Sequence, residues 1–380
     1  MTRRILIVPD KFKGSLSALE AAGAIARGWA AACPDDTLAL LPMSDGGDGF
    51  GPVMAGALGL EEQLVEVVDA ACQARPAAWW FDSESGEAVV ETAQSNGLAL
   101  LPRGRFHPFD LDTRGVGQLL LAAGRAGAAH CLTGIGGSAT NDGGFGMARA
   151  LGWVFRDESG KPIEQWTRLD GLALIESPTS RAWPGVTVAS DVQNPLLGVD
   201  GATWVYGPQK GMRPEDFAKA DACLGRLAKV TGETLGSDFS ATPGAGAAGG
   251  LGFGLMAFAG ATIESGFEVF AKATDLEAKV GEADFVVTAE GAIDEQTLMG
   301  KGTGQVAALC RRLGKPCIGL AGQLALGQAE VEPGRRLFWR LATLVPDLAS
   351  EPEAMANAAS HLEQLAKREG ILSRDTNFTD

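Results

Sequence analysis

The stretch Ile5-Leu6-Ile7-Val8-Pro9-Asp10-Lys11-Phe12-Lys13-Gly14-Ser15-Leu16-Ser17-Ala18-Leu19-Glu20 decides the reading of the fold. Its first four residues form a continuous apolar run, the pattern of a strand covered on both faces. Pro9 to Gly14 break that strand. Ser17 and Glu20 then make an S-x-x-E capping box, which predicts a helix to about Ala32. The run Leu38 to Leu41, the turn-rich Pro42-Met43-Ser44-Asp45-Gly46-Gly47-Asp48-Gly49 and a further helix repeat the scheme. It returns near the far end. Asp284 to Thr288 predicts a strand, Ala289 to Asp294 its loop and Gln305 to Leu313 a helix. Cys317 to Leu320 and Leu341 to Val345 predict two more strands. Strand and helix alternating at both ends predict an α/β, two-domain chain. Residues 1–60 and 283–380 would form a discontinuous parallel-sheet domain, with residues 61–282 inserted as a second α/β domain. Within the insert, Glu62 to Val68, Trp79 to Phe81 and Glu87 to Glu91 read as strands between long glycine-rich loops. No fixed-period repeat stands out, and the tail after Ser373 reads as polar and frayed.

The 380 residues suffice to bury a large core, and 46% hydrophobic with 21% charged residues excludes wholesale disorder. No charge-free apolar run reaches the length of a spanning helix, and the apolar run at Ile5 is too brief for a signal peptide, so the cytoplasm is expected. A net charge of −15 argues against nucleic acid or an anionic membrane as partner. An anionic ligand must then be held by local groups: backbone N–H, single Lys or Arg residues, or a metal. The 52 glycines are nearly twice the usual share and cluster in loops, as backbone that turns sharply or approaches a ligand would require. Six cysteines without a C-x-x-C pair, and only three histidines, argue against structural zinc and for buried thiols.

In open parallel sheets, ligands bind beyond the carboxyl ends of the strands. Asp10, Lys13, Asp45, Asp48, Glu290 and Asp294 are therefore predicted to face one crevice. Lys13 stands near a helix N-terminus, where like signs of charge make it tolerable with an anion between, while Lys11 is left to solvent. Thr133-Gly134-Ile135-Gly136-Gly137-Ser138-Ala139-Thr140-Asn141-Asp142-Gly143-Gly144 carries five glycines in twelve residues. It lies between the short strand Cys131 to Leu132 and a helix over Phe145 to Leu151. Its amides, with Ser138, Thr140 and Asn141, suit a phosphate cradle. Asp142 could hold a metal or cap the helix. No Walker A loop occurs. Gly244, Gly246 and Gly249 match G-x-G-x-x-G, but the preceding Ser237 to Pro243 is a poor strand. NAD binding is rejected, and the loop is kept as part of a nucleotide pocket. Val186 to Ser190 predicts a strand ending at Asp191, a good position for acid–base work, although Asp191 to Asn194 would equally form an Asx turn. Lys210, in Gly207-Pro208-Gln209-Lys210-Gly211, could contact phosphate or stand exposed.

Eight segments carry a resemblance, in order, from about residue 5 to residue 322. They are Asp10 to Ala18, Pro42 to Gly49, Thr92 to Gly97, Gly134 to Gly144, Ser190 to Leu196, Gly207 to Gly211, Pro243 to Gly250 and Thr288 to Asp294. Together they resemble the bacterial glycerate kinases of the first type. The resemblance implies a split flavodoxin-like, Rossmann-like domain with a second α/β domain inserted. It also implies ATP-dependent phosphorylation of glycerate with Mg2+, usually to 2-phosphoglycerate. The implied mechanism closes two domains on ATP and the hydroxy acid. Gly136, Gly137, Ser138, Thr140 and Asn141 would cradle phosphate, with Lys210, Gly246 and Gly249 also on the nucleotide. Asp191 would be the base, although the sequence does not decide between it and Asp45 for that role, with Lys13 and Asp45 as catalytic partners. Asp10, Lys13, Asp45, Arg114, Asn194, Glu290 and Asp294 would bind the substrate, and Asp45 or Asp142 the metal. A homo-oligomer is possible. The family usually has other residues where this chain has Lys11, Ala289 and Ala292, and its Gly-Lys-x-Pro becomes Gly300-Lys301-Gly302-Thr303. These departures leave open a kinase for another small hydroxy or sugar acid, or an inactive nucleotide-fold sensor.

Overall fold

The structure, a computed structural model, describes residues 2–299, 302–326 and 337–374. Lys301 of the altered segment and the tail beyond Arg374 lie outside the described residues. The strands are β1 (Arg4–Pro9), β2 (Thr37–Leu40), β3 (Glu61–Val68), β4 (Ala74–Asp82), β5 (Glu87–Glu91), β6 (His130–Gly134), β7 (Val154–Asp157), β8 (Leu172–Glu176), β9 (Gly185–Ala189), β10 (Thr262–Glu264), β11 (Phe285–Asp294), β12 (Cys317–Ala325) and β13 (Arg340–Thr343). The chain divides into two compact units, Met1–Ser44 with Phe267–Asp380, and Asp45–Gly266.

In the first unit five strands run in the order β2-β1-β11-β12-β13, all parallel. β1 is buried from Ile5 to Pro9, as its unbroken apolar run requires. The capping box forms: Ser17 Oγ accepts from the Glu20 amide at 3.2 Å, and the Ser17 amide donates to Glu20 Oε2 at 2.8 Å. The helix Ala18–Ala32 thus starts where the sequence predicts. It lays Ile25 and Trp29 into a core shared with Ile5, Ile7, Phe285, Ile318, Leu362 and Leu365. β11 and β12 run further than their apolar runs suggest. Ala289 to Asp294, read as a loop, continues β11, because Ala292, Ile293 and Asp294 pair with Gln323, Leu324 and Ala325.

The second unit holds a six-stranded sheet in the order β10-β9-β6-β5-β4-β3 and the hairpin β7-β8. β10, β9, β6 and β5 are parallel, whereas β4 and β3 run antiparallel at one side. β3 is the outer strand and exposes Glu61, Glu62, Leu64 and Glu66. The division between units falls at 44/45 and 266/267, not at 60/61 and 282/283. Two short helices account for the difference. Phe50–Leu58 lies on the second sheet, where a Cβ on Gly51 would sit 2.0 Å from the Trp80 ring. Leu276–Glu282 buries Leu276 and Val280 and packs with β1 and the helix Thr303–Arg312 of the first unit. Among the described residues no helix is long and apolar enough to cross a membrane.

Two glycines of one helix give a paired prediction. A Cβ on Gly28 would fall 2.1 Å from the Glu363 carbonyl oxygen of the neighbouring helix Ala358–Leu372. A Cβ on Gly23 meets nothing nearer than the flexible end of Arg27, at 3.4 Å. Gly28→Ala should cost about 2 kcal/mol in chemical denaturation, because the two helices must part. Gly23→Ala should be neutral or gain up to about 1 kcal/mol from helix propensity.

Candidate active site

In the second unit, loops after the parallel strands meet at their carboxyl ends. The Gly136 amide donates to Gly46 O at 3.0 Å, and a Cβ on Gly137 would fall 1.8 Å from Asp48 Oδ1. Asp191 Oδ1 accepts from Ser265 Oγ and from the Gly266 amide, both at 2.9 Å. A Cβ on Gly266 would lie 2.0 Å from Asp45 O. Asp45 and Asp191 therefore stand on either side of Gly266. The sequence reading grouped Asp45 and Asp48 with Asp10. Their packing instead makes them part of the second unit, beside the loop Gly134 to Gly144. Glu91, which that reading passed over, closes the arrangement. It is buried at the end of β5, and its two oxygens accept from the Gly49 and Gly51 amides at 2.9 and 3.1 Å. The signal was available, since a carboxylate ending a buried strand is the feature that singled out Asp191.

Several predicted ligand groups are committed to the protein itself. Asp142 is buried, and its Oδ2 accepts from the Thr113 amide, the Thr113 hydroxyl and the Gly146 amide at 2.9, 2.8 and 2.9 Å. Its Oδ1 accepts from the Gly144 amide at 3.1 Å. Burial, with the Asp112 charge adding, pushes its pKa up to about 6 against the pull of those bonds. With its oxygens so engaged in the interior, Asp142 does not fit a metal ligand. It fastens the loop to the helix Phe145–Ala150. Thr140 Oγ1 accepts from Asn96 Nδ2 at 3.3 Å, and Asn141 Nδ2 donates to Thr203 Oγ1 at 3.0 Å, so both side chains face inward. Asn194 donates to Asp200 O and accepts from the Tyr206 hydroxyl, which makes it a loop staple. The Arg114 guanidinium pairs with Asp112 at 3.6 Å. Gly246 and Gly249 serve packing. A Cβ there would fall 2.1 Å from Pro195 O and 2.0 Å from Thr140 O respectively. Lys210 is buried, not exposed, and burial lowers its pKa to about 7. Its Nζ donates to Ser138 Oγ at 3.0 Å and to Thr140 O at 2.6 Å.

The first unit brings Asp10, Glu290 and Asp294 together. Pro9 pairs with Ala289 across β1 and β11, so Asp10 and Glu290 follow side by side. Glu290 Oε1 accepts from the Thr297 hydroxyl at 2.9 Å and from the Thr303 hydroxyl. The Thr297 amide donates to Asp294 Oδ1 at 3.2 Å. Burial, reinforced by the charges of Asp10 and Asp294, lifts the Glu290 pKa to about 7. The Lys13 backbone crosses β11 at Gly291, and its side chain is exposed.

The model of the glycerate kinase family matches residues 5–372. The chain belongs to the glycerate kinase family. Among its relatives, a glycerate kinase of Halalkalibacterium halodurans is 41% identical, over 97% of this chain and 98% of the relative. The glycerate 2-kinase of Escherichia coli K12 is 38% identical, over 84% of this chain and 85% of the relative. The crystal structure of "putative glycerate kinase 2" from Salmonella typhimurium LT2 has a TM-score of 0.82 and 35% identity, covering 98% of this chain and 99% of that one.

The two raised carboxyls give separate predictions. Asp142→Asn would set an amide NH2 against N–H donors and should cost about 3 kcal/mol in urea unfolding, as breaking a buried charged network does. For Glu290 the folded pKa of about 7 lies above the ordinary 4.5, so the folded state holds the proton more tightly. The penalty for ionising it in place is absent below the ordinary value and grows as pH rises through 7. Glu290→Gln should therefore be more stable than the parent at pH 8, by on the order of 1–3 kcal/mol, and should lose that advantage near pH 4. Unfolding curves at the two pH values read the difference.

Proposed function

We propose that this protein transfers the γ-phosphoryl group of ATP to a hydroxyl of glycerate, as a bacterial glycerate kinase of the first type that forms 2-phosphoglycerate. The observation that carries the reading is the glycine-rich turn Gly136 to Ser138 lying against Asp48 and Gly47, with Gly266 bonded to Asp191 and resting on the Asp45 main chain. Phosphoryl transfer needs positioning and charge stabilisation more than covalent help, and this edge offers amides, one hydroxyl and carboxylates. Leu98 N donates to Gly137 O at 2.8 Å, so the Ser138 amide of the same planar peptide points the other way, as a donor for phosphate. Asp191 is the base for the substrate hydroxyl, its carboxylate oriented by Ser265 and Gly266.

Magnesium is assigned to Asp45, whose Oδ1 accepts from the Gly47 amide at 3.1 Å, and not to Asp142, whose two oxygens are engaged in the interior. It takes one or two carboxylates and completes its shell with water and phosphate oxygens, so a cage of protein ligands is not required. Bound there, it would neutralise charge on the phosphates. The hydroxy acid is assigned to the edge carrying Asp10, Lys13, Glu290 and Asp294. The Lys13 ammonium would meet its carboxylate, and Glu290, near neutrality, can donate or accept at a substrate hydroxyl. The parallel order, 2-1-3-4-5 when the strands of the first unit are counted along the chain, supports a flavodoxin-like arrangement interrupted by the inserted unit. In that arrangement, Asp10 and Glu290 lie at the point where the strand order reverses. We place the enzyme in the cytoplasm.

ADP release measured with glycerate, tartronate and related acids tests the proposal. Release with glycerate and formation of 2-phosphoglycerate, identified by phosphorus NMR, are expected. Release only with another acid changes the substrate, and none with any acid leaves a nucleotide-fold sensor. Asp191→Asn should lower kcat at least about 100-fold, as loss of a general base requires, with the melting temperature retained. Near-normal turnover in that variant removes Asp191 from the role.

A further inference from the structure

Lys210 ends the short turn Pro208–Lys210, after which Gly211 adopts φ +91° and redirects the chain. The turn drives the lysine inward, and only 6% of the residue stays exposed. Lysine is almost never fully buried unless it is paired, because removing an ammonium from water is costly. Here the ammonium lies directly beneath the glycine-rich loop, on Ser138 Oγ and Thr140 O, and is attracted by the Asp142 charge.

An ammonium has three donors and no acceptor. While Lys210 carries its proton, its bond to Ser138 Oγ can run in one direction only, and the hydroxyl hydrogen of Ser138 is then directed away from it. The bond to Thr140 O acts in the same sense. It holds that carbonyl inward, and the Asn141 amide of the same planar peptide turns the opposite way. A hydrophobic side chain of equal length would fill the space but leave Ser138 free to turn its hydroxyl inward.

We propose that Lys210 is a positioning residue for the nucleotide: it fixes the Ser138 hydroxyl as an outward donor to a phosphate oxygen and sets the shape of the main chain from 138 to 140. The proposal rests on the reading of this loop as the phosphate cradle. It goes beyond that reading by assigning the buried cation to the loop instead of to the phosphate itself.

The test is a double-mutant cycle on Lys210→Met, Ser138→Ala and the pair. It is read by calorimetric binding of a non-hydrolysable ATP analogue to the full chain, by KM for glycerate, and by thermal melting. Lys210→Met is expected to weaken analogue binding about tenfold or more while KM for glycerate stays within about twofold. In the Ser138→Ala background, the same change should weaken binding less than about threefold, because the two residues act as one unit. Additive losses, or an equal loss for glycerate, overturn the proposal. Should Lys210→Met fail to fold, Ser138→Ala alone decides. It must weaken analogue binding about tenfold with an unchanged melt, and parent-like binding overturns the proposal. A parent chain that binds the analogue yet releases no ADP with any acid overturns the glycerate reading while the cycle still reports on Lys210. A parent chain that binds no nucleotide removes the cradle, and the proposal with it.

Discussion

Main chain resting on main chain is the contact from which the second unit's loops take their shape. Gly136 lies over Gly47, Gly144 over Gly254, and Gly249 over the Thr140 carbonyl, each too close for a Cβ. Gly249 adds a positive φ of +72°, which only glycine adopts without strain. With so little side-chain bulk between them, four loops converge at the ends of β5, β6, β9 and β10, where Thr92 Oγ1, Asn96 Oδ1 and Asn141 Oδ1 are buried without a hydrogen-bond partner among the described residues. The glycine content of the chain is thus mostly a packing requirement.

Loops packed in this way need fasteners, and the fasteners are buried charges. Glu91 holds the start of the helix Phe50–Leu58, Asp142 holds the start of the helix Phe145–Ala150, and Lys210 holds the loop between them. Burial pushes both Asp142 and Lys210 toward their neutral forms, while multiple hydrogen bonds hold each in place. Such groups cost free energy when buried, and their hydrogen bonds make one loop conformation preferable to its alternatives. Glu290 differs. In the first unit it has two hydroxyl donors, and the charges of Asp10 and Asp294 raise its pKa, the environment of a group that exchanges a proton near neutrality.

Much of this architecture was legible in the sequence. The apolar run at Ile5 and the Ser17–Glu20 box fixed the first strand and helix, because both signals are local. The carboxylates at strand ends announced themselves by topology, and Asp10, Glu290 and Asp294 do converge. What stayed hidden was direction. Nothing in the string Ser138 to Asp142 says that the side chains of Thr140, Asn141 and Asp142 turn inward. Their partners, Asn96, Thr203 and Thr113, lie far along the chain. The extension of β11 past Ala289 was equally hidden, since its partner β12 supplies the hydrogen bonds and its polar residues conceal the strand pattern.

The outer strand β3 has no strand beyond it, an invitation for a foreign strand to add itself, although at its far end the Val68 amide is already taken by Gln118 Oε1 at 2.8 Å. Its exposed glutamates, Glu61, Glu62 and Glu66, turn that invitation away, since two such edges brought together would set like charges against each other. Exposed Leu64 sits in their midst, sheltered by repulsion instead of by cover. The sheet can therefore end in water without recruiting a neighbour. That protection is electrostatic, and it fades as salt rises.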